Sequence, residues 1–528
     1  MEKQHPSGGS NRPLLLALCL TLAAYGGASV LGVPQHGTEL VVQGLAQAAP
    51  DHNSQATSGH GHSDPPPPEA SGAHATPPPL WMVGPFALLL AGIAVLPLVP
   101  GIAEWWDSNF NRFLVASGLG ILTLLYYLIL HEHPVHGHFP TAYLAAFNPE
   151  GANYGVTLAV LANAILNEYI PFITLLFTLY TISGGIRIEG DLRAKPSTNT
   201  LFLAVGALLA SFIGTTGAAM LLIRPLLETN RERRHVVHTV VFFIFVVCNC
   251  GGCLLPLGDP PLFLGYLLGV PFLWTARLWP EWLFVNGMLL LIYYLWDVLW
   301  AYPREQPADV VRDASQTRRL RFLGLWPNAV LLVGVIASVG LLDSSKPLPG
   351  TTWHPWLYLR EAAQLGLVLL SLVLTDERIR HFNRFNYHAI IEVAVLFLGI
   401  FVCMQAPLQI LNVYGPQLGL NSPLGFFWAT GGLSSVLDNA PTYVVFFAAA
   451  RSLGGTDTVA GVQETLLAGV SLGAVFLGSM TYIGNGPNFM VKAIAEKSGV
   501  PMPSFFGYML CSCLVLLPLF ALTSWLFL

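Results

Sequence analysis

The chain has 528 residues, of which 54% are hydrophobic and only 10% charged, where a soluble domain carries about 25% charged residues. That composition excludes an ordinary soluble enzyme and makes the lipid bilayer the first partner to expect. A net charge of −5 leaves no basic footprint for nucleic acid, so no nucleic-acid partner is expected.

Residues 1–12 are polar, with Lys3 and Arg12, and an apolar run follows from Pro13 to about Val33. That run is long for the core of a signal peptide and no small-x-small cleavage site ends it cleanly, so residues 1–33 read as a signal-anchor or first transmembrane helix. Residues 34–79 hold no Lys or Arg, are rich in Pro, Gly, Ala, Ser and His, and end in two proline runs. They read as a disordered external linker that cannot bury a core.

From residue 80 the hydropathy falls into two similar halves. Helices are expected near 80–100, 113–131 and 155–182, then an apolar stretch at 199–223 broken by Gly214-Thr215-Thr216-Gly217. A helix from 236 breaks at Gly258-Asp259-Pro260-Pro261 and resumes to about 273, and another occupies roughly 281–301. After a linker at 302–323, helices are expected near 324–342, 356–375 and 387–404. A stretch at 424–450 is broken around Asp438-Asn439, a helix from 464 breaks at Gly484–Pro487, and a last helix fills 505–528. The domains are therefore a first repeat over 80–301 and a second over 324–528. Each has three helices, a re-entrant hairpin, a broken helix and one more helix.

The breaks recur at a near-constant interval. Glu392 follows Glu168 by 224 residues, Asn439 follows Thr216 by 223, and Asn485 follows Asp259 by 226. If each hairpin enters and leaves on one side, each half crosses five times and the second half inserts upside down. Basic residues support this fold class, an all-α polytopic membrane protein of two inverted-topology repeats: all Lys and Arg except Arg277, Lys346, Arg360 and Arg451 fall on the side expected to be cytoplasmic. The N-terminus is then expected inside, and the C-terminus outside.

Proline lacks the N–H that continues a helix, and glycine lets the backbone turn back. Unwound backbone in hydrocarbon costs several kcal/mol per unsatisfied group, so such breaks persist where protein or a cavity covers them. Paired broken helices build transport sites at mid-membrane. A carboxylate at that depth is expensive and marks a functional candidate. Asp438 stands at the second tip with Asn439 and Thr442; Asp259 stands in the first break, after Asn249. Neither broken segment carries a Lys or Arg, so either carboxylate can hold a cation or a proton. The plainer alternative is that Asp438 caps a half-helix and Asp259 is a turn residue. Thr215 and Thr216 offer hydroxyl oxygens, although threonines in apolar helices often bond back to carbonyls. Glu168 and Glu392 are candidates for a proton path, or for a bond to broken backbone. The oxygens available are hard ligands suited to sodium.

Other clusters carry less. Cys248, Cys250 and Cys253 lack the His or Cys partners of a zinc site and read as small residues easing helix contact; the cysteines mostly lie in apolar runs, against a disulfide framework. His131, His133, His136 and His138 alternate in a loop, and His52, His60, His62 and His74 lie in the linker; solvated loop histidines are the expected reading.

The tip Ser435-Val436-Leu437-Asp438-Asn439-Ala440-Pro441-Thr442, the tip Gly214–Met220 and the break Leu257–Pro261 resemble the D-type bacterial sodium/proton antiporters. These belong to the ion transporter superfamily, with citrate-transporter-like and arsenite-permease-like relatives. The resemblance spans about residues 80–528. It implies two hairpins meeting near the membrane centre, a homodimer, elevator-type alternating access, and residence in the bacterial inner membrane. Thr215, Thr216, Asp259, Asp438, Asn439 and Asn485 would form the ion site. Sodium (or lithium) would be transported substrate, exchanged for protons, with no resident cofactor and no enzymatic activity. The chain departs from the dicarboxylate branch, whose tips are paired Ser-Asn-Thr motifs. A sodium-coupled citrate- or dicarboxylate-type symporter is the alternative.

Overall fold

The computed structural model describes residues 12–48 and 76–528. The linker histidines His52, His60, His62 and His74 lie outside the described residues.

Among the described residues the chain is helical apart from three two-stranded antiparallel ribbons. Six helices among the described residues are long and apolar enough to cross a membrane, or seven if the pair His388–Cys403 and Gln405–Leu418, bent by 43°, forms one span. Shorter apolar helices such as Val237–Cys253 and Glu464–Met480 are short because breaks interrupt them. Large apolar side chains such as Leu514 and Trp525 face outward, whereas Phe172, Phe243 and Phe426 are buried. Outward apolar surface is costly in water and neutral in lipid. The chain is an all-α, multi-pass membrane protein.

Each half follows the same order. Helices Leu325–Leu341, Leu359–Leu374 and His388–Cys403 of the second half stand in the order of Gly84–Val95, Asn109–Leu125 and Tyr154–Ser183 of the first. The first hairpin has arms Pro196–Ile213 and Thr215–Thr229; the second has arms Pro423–Ser434 and Asn439–Ser452. Gly214, with φ +80°, reverses the first tip at a conformation that side-chain-bearing residues avoid. The broken helices are Val237–Val246 with Pro260–Leu267 and Glu464–Leu477 with Gly486–Lys497. In each half the last helix, Trp279–Trp296 or Phe505–Phe527, follows.

Packing exchanges the halves. Pro260–Leu267, from the first broken helix, lies against Asn439–Ser452 of the second hairpin, and Gly486–Lys497 lies against Thr215–Thr229 of the first. The breaks themselves fold tightly. A Cβ on Gly484 would sit 2.6 Å from the Gly478 carbonyl oxygen, and one on Gly258 would collide with the Gly252 carbonyl oxygen.

Three features differ from the sequence reading. Val33–Ala48 is a helix, not linker. Pro34 sits where a first-turn proline is tolerated, and Thr38 Oγ1 donates to Pro355 O (3.1 Å) and accepts from Leu357 N (2.8 Å). The proline-rich tract after it dominated the composition of the whole segment. Gln405–Tyr414 adds a helix where none was expected. The 302–323 linker is built: helix Pro307–Ser315 leads to strand Arg318–Leu323, which pairs with Arg187–Asp191.

Candidate functional site

Four half-helices begin at one place. Asp259 holds the N-cap position of Pro260–Leu267, Asn485 that of Gly486–Lys497, Thr215 opens its hairpin arm, and Asn439 opens the other. The side chains of the last three meet the first. Thr215 Oγ1 donates to Asp259 Oδ1 (2.9 Å), Asn485 Nδ2 donates to the same oxygen (3.0 Å), and Asn439 Nδ2 donates to Oδ2 (2.6 Å). All four residues are buried, Asp259 to 1% exposure. The carboxylate makes no ion pair with any described residue; its partners are neutral amides and a hydroxyl. Helix N-termini each carry roughly +0.5 of an elementary charge, and here four of them surround one negative group.

One acceptor at the centre is left over. Asn439 spends its amide nitrogen on Asp259, and its Oδ1 is buried without a hydrogen-bond partner. An orphaned buried oxygen costs about 1–3 kcal/mol. This one lies on the side chain whose amide nitrogen holds the Asp259 carboxylate.

Amides tie the two breaks together behind this centre. Asn485 Nδ2 also reaches Asn249 Oδ1 (3.3 Å) and Cys248 O (3.0 Å). Asn249 Nδ2 donates to Asn488 Oδ1 (2.8 Å), and Asn488 Nδ2 donates to the carbonyls of Gly478 and Thr481, both at 2.9 Å. Asn488 was missed in the sequence, although it stands three residues after Asn485 and so less than one helical turn further on. Ser211 and Ser434, 223 residues apart, were missed too: each ties a hairpin arm to a broken segment, through Gly251 O (2.6 Å) and Ala474 O (2.7 Å).

The remaining candidates fall differently. Asp438 Oδ1 accepts from Ala440 N (3.1 Å), the N-cap bond of its helix, and its charge still acts on Asp259. Thr442 Oγ1 donates to Asp438 O (2.9 Å), a back-bond within the helix. Thr216 lies one residue beyond the Thr215 contact and makes no bond to Asp259. Glu168 accepts from Gln405 Nε2 (3.2 Å) and Glu392 pairs with Arg112 Nη2 (3.1 Å); neither touches Asp259. Arg112, the partner of Glu392, comes from the neighbouring helix Asn109–Leu125. Cys248, Cys250 and Cys253 are free and buried, and no group of three or more His, Cys, Asp or Glu side chains suited to a metal occurs among the described residues. Of the loop histidines, His131 is buried to 2% rather than solvated, with Tyr126 Oη 3.2 Å from its Nδ1.

Fold and site together define a multi-pass membrane transporter. The chain belongs to the family described as "Putative citrate transport", whose profile matches residues 75–528. No curated protein matches the chain.

Proposed function

We propose that the protein exchanges sodium (or lithium) for protons across the bacterial inner membrane, with Asp259 as the group that carries ion or proton in turn. The observation behind this is the buried Asp259 carboxylate, held by three neutral donors and no Lys or Arg, beside the unpartnered Asn439 Oδ1. A carboxylate without a permanent counter-ion at this depth is costly unless something mobile neutralises it. Sodium takes oxygen ligands such as Asp259 and Asn439 Oδ1; a proton neutralises the carboxylate in its place. Asp438, one residue before Asn439, adds a second negative charge to the same tip and raises local cation affinity.

In this reading the halves are inverted repeats in a homodimer. The two hairpins and two broken helices move together, elevator-fashion, against the other helices. Their mutual packing through the Asp259 cluster favours motion as one body, because separating a hairpin from the opposite broken helix would strand the carboxylate.

One observation favours a second reading, sodium-coupled uptake of a citrate- or dicarboxylate-type anion. Four helix N-termini converge at the centre, and such ends attract anions; the family description points the same way. Two carboxylates already occupy that field, which leaves the exchange reading the better supported.

The test is ion-driven collapse of a pH gradient in energised everted vesicles, followed by dye fluorescence, wild type beside Asp259→Asn. Dequenching by Na or Li, absent in the variant, is expected. No response to Na, Li or K, with sodium-dependent uptake of labelled citrate or succinate instead, would replace exchange by anion symport.

A further inference from the structure

A cleft of about 460 Å³ lies between helix Gly84–Val95, helix Gln405–Tyr414 and the second hairpin, and ion binding at Asp259 does not use it. Its walls include Leu90 on the first helix, Ile410 on the second, and Leu433, Leu437 and Val445 on the hairpin. No charged side chain among the described residues lines it. Its one side-chain polar atom, Thr442 Oγ1, already donates to Asp438 O (2.9 Å). Both helices belong to apolar segments, Leu80–Val95 and the bent pair His388–Cys403 and Gln405–Leu418. The cleft opens outward: Ala87 and Ala91, one turn apart at its edge, are exposed, and Leu433 is 39% exposed. The neighbouring Leu88 and Val436 are exposed apolar residues as well, so the cleft continues inward the surface that faces lipid.

Water does not settle in such a space, because a buried water needs about two to four polar partners and apolar cavities stay dry. An ion finds neither a charged group nor a free hydroxyl there. Left empty, the walls forfeit their van der Waals partners, and in a membrane that packing is what holds apolar groups together. Hydrocarbon is the occupant that suits the lining, and lipid supplies it at the entrance. We propose that the cleft binds one acyl chain of a membrane phospholipid, inserted between helix Gly84–Val95 and the second hairpin. Ala87 and Ala91 keep the entrance open where larger side chains would close it. Inside, the acyl chain touches Leu437 on one side of Asp438-Asn439 and Pro441 and Thr442 on the other. It joins the hairpin tip to the opposing helices by dispersion alone, with no polar bond to break when the two part. Its bearing on alternating access rests on the transport reading, since the tip carries Asn439; its existence does not.

The test is photolabelling of the full chain in phosphatidylethanolamine–phosphatidylglycerol vesicles. These are doped with a phosphatidylcholine that carries a diazirine on its acyl chain, and adducts are mapped by peptide mass spectrometry. Adducts are expected on residues 83–91 and 433–445 in excess over the outward-facing residues Leu514 and Trp525. Ala87→Phe combined with Ala91→Phe, at exposed positions that tolerate the change, is expected to cut labelling of residues 433–445 roughly tenfold by closing the entrance. Leu88→Phe, outside the lining, is expected to leave it unchanged. Wild-type labelling of residues 433–445 no greater than at Leu514 and Trp525, or undiminished in the double variant, overturns the acyl site. No label on either stretch, in a protein that runs as a dimer, overturns it in favour of a second copy of the chain. Each of these results leaves exchange at Asp259 intact.

Discussion

Asn485 donates its side-chain amide to Asp259 at 3.0 Å, and the two hold the same position in the two broken helices, 226 residues apart. Each follows a glycine that no other residue can replace without a clash, and each occupies the N-cap position of the half-helix that follows while its side chain bonds elsewhere. One carries a charge and the other a neutral amide, so the two halves contribute unequal chemistry to one centre.

Removing the amide contacts is expected to weaken ion binding while leaving the carboxylate in place. A hydrogen bond to a charged group is worth about 1.5–3 kcal/mol, so Asn439→Ala and Asn485→Ala each predict an increase of roughly tenfold or more in the apparent KM for sodium. Exchange kinetics in vesicles against sodium concentration would show it. An unchanged KM in both would remove these side chains from the site.

Asp438 separates into cap and charge. Asparagine caps a helix about as well as aspartate, so Asp438→Asn removes the charge alone, whereas Asp438→Ala removes both. Both are expected to lower exchange. The alanine variant is also expected to lose about 1 kcal/mol of stability, read as a lower melting temperature in detergent. Full activity in Asp438→Asn would leave the residue as a cap and nothing more.

The glycines of the breaks offer a control within one motif. Gly484→Ala places a Cβ 2.6 Å from the Gly478 oxygen and 2.8 Å from the Ser434 oxygen, whereas a Cβ on Gly486 meets nothing within 4 Å. Overpacking of this kind costs about 1–3 kcal/mol. Gly484→Ala is expected to lower thermal stability and abolish transport, and Gly486→Ala to leave the fold intact. Equal melting temperatures for both would contradict the close backbone approach.

His131 predicts a pH effect outside the membrane. Burial, with the neighbouring His133, pushes it down to about 4, so it is neutral when folded while the unfolded chain binds a proton near pH 6.5. Its contribution to stability is present above pH 6.5 and lost as pH falls toward 4. Melting temperatures between pH 7.5 and pH 4.5 are expected to fall more steeply in the wild type than in His131→Phe, which keeps an aromatic ring beside Tyr126 and Tyr127. Parallel curves would show that the imidazole does not titrate on unfolding.

The hairpins and breaks were legible because Gly and Pro interrupt apolar runs where no other residue type would: Gly214, Gly258–Pro261 and Gly484–Pro487 all fall where the chain turns. The ranking of carboxylates was not. Asp438 and Asp259 have similar neighbours in the sequence, and only packing shows that one is engaged by its own helix while the other faces three elements from elsewhere. Asn488 was hidden for the same reason: its partners, Asn249 and two carbonyls, are supplied by tertiary structure. Val33–Ala48 was lost in the composition of the prolines that follow it, although Thr38 near its start bonds it to Pro355 and Leu357.

The exchange of partners between halves has a consequence for synthesis. Asp259 enters the membrane when its three donors are only partly available: Thr215 has been made, but Asn439 and Asn485 have not. Asn439 follows Asp259 by 180 residues and Asn485 by 226, so until then the nascent first half carries an acidic group whose amide partners are incomplete. It must stay protonated, or near the lipid–water boundary, while the ribosome finishes. A truncated chain ending in the 302–323 linker would therefore be a quality-control substrate rather than half a transporter.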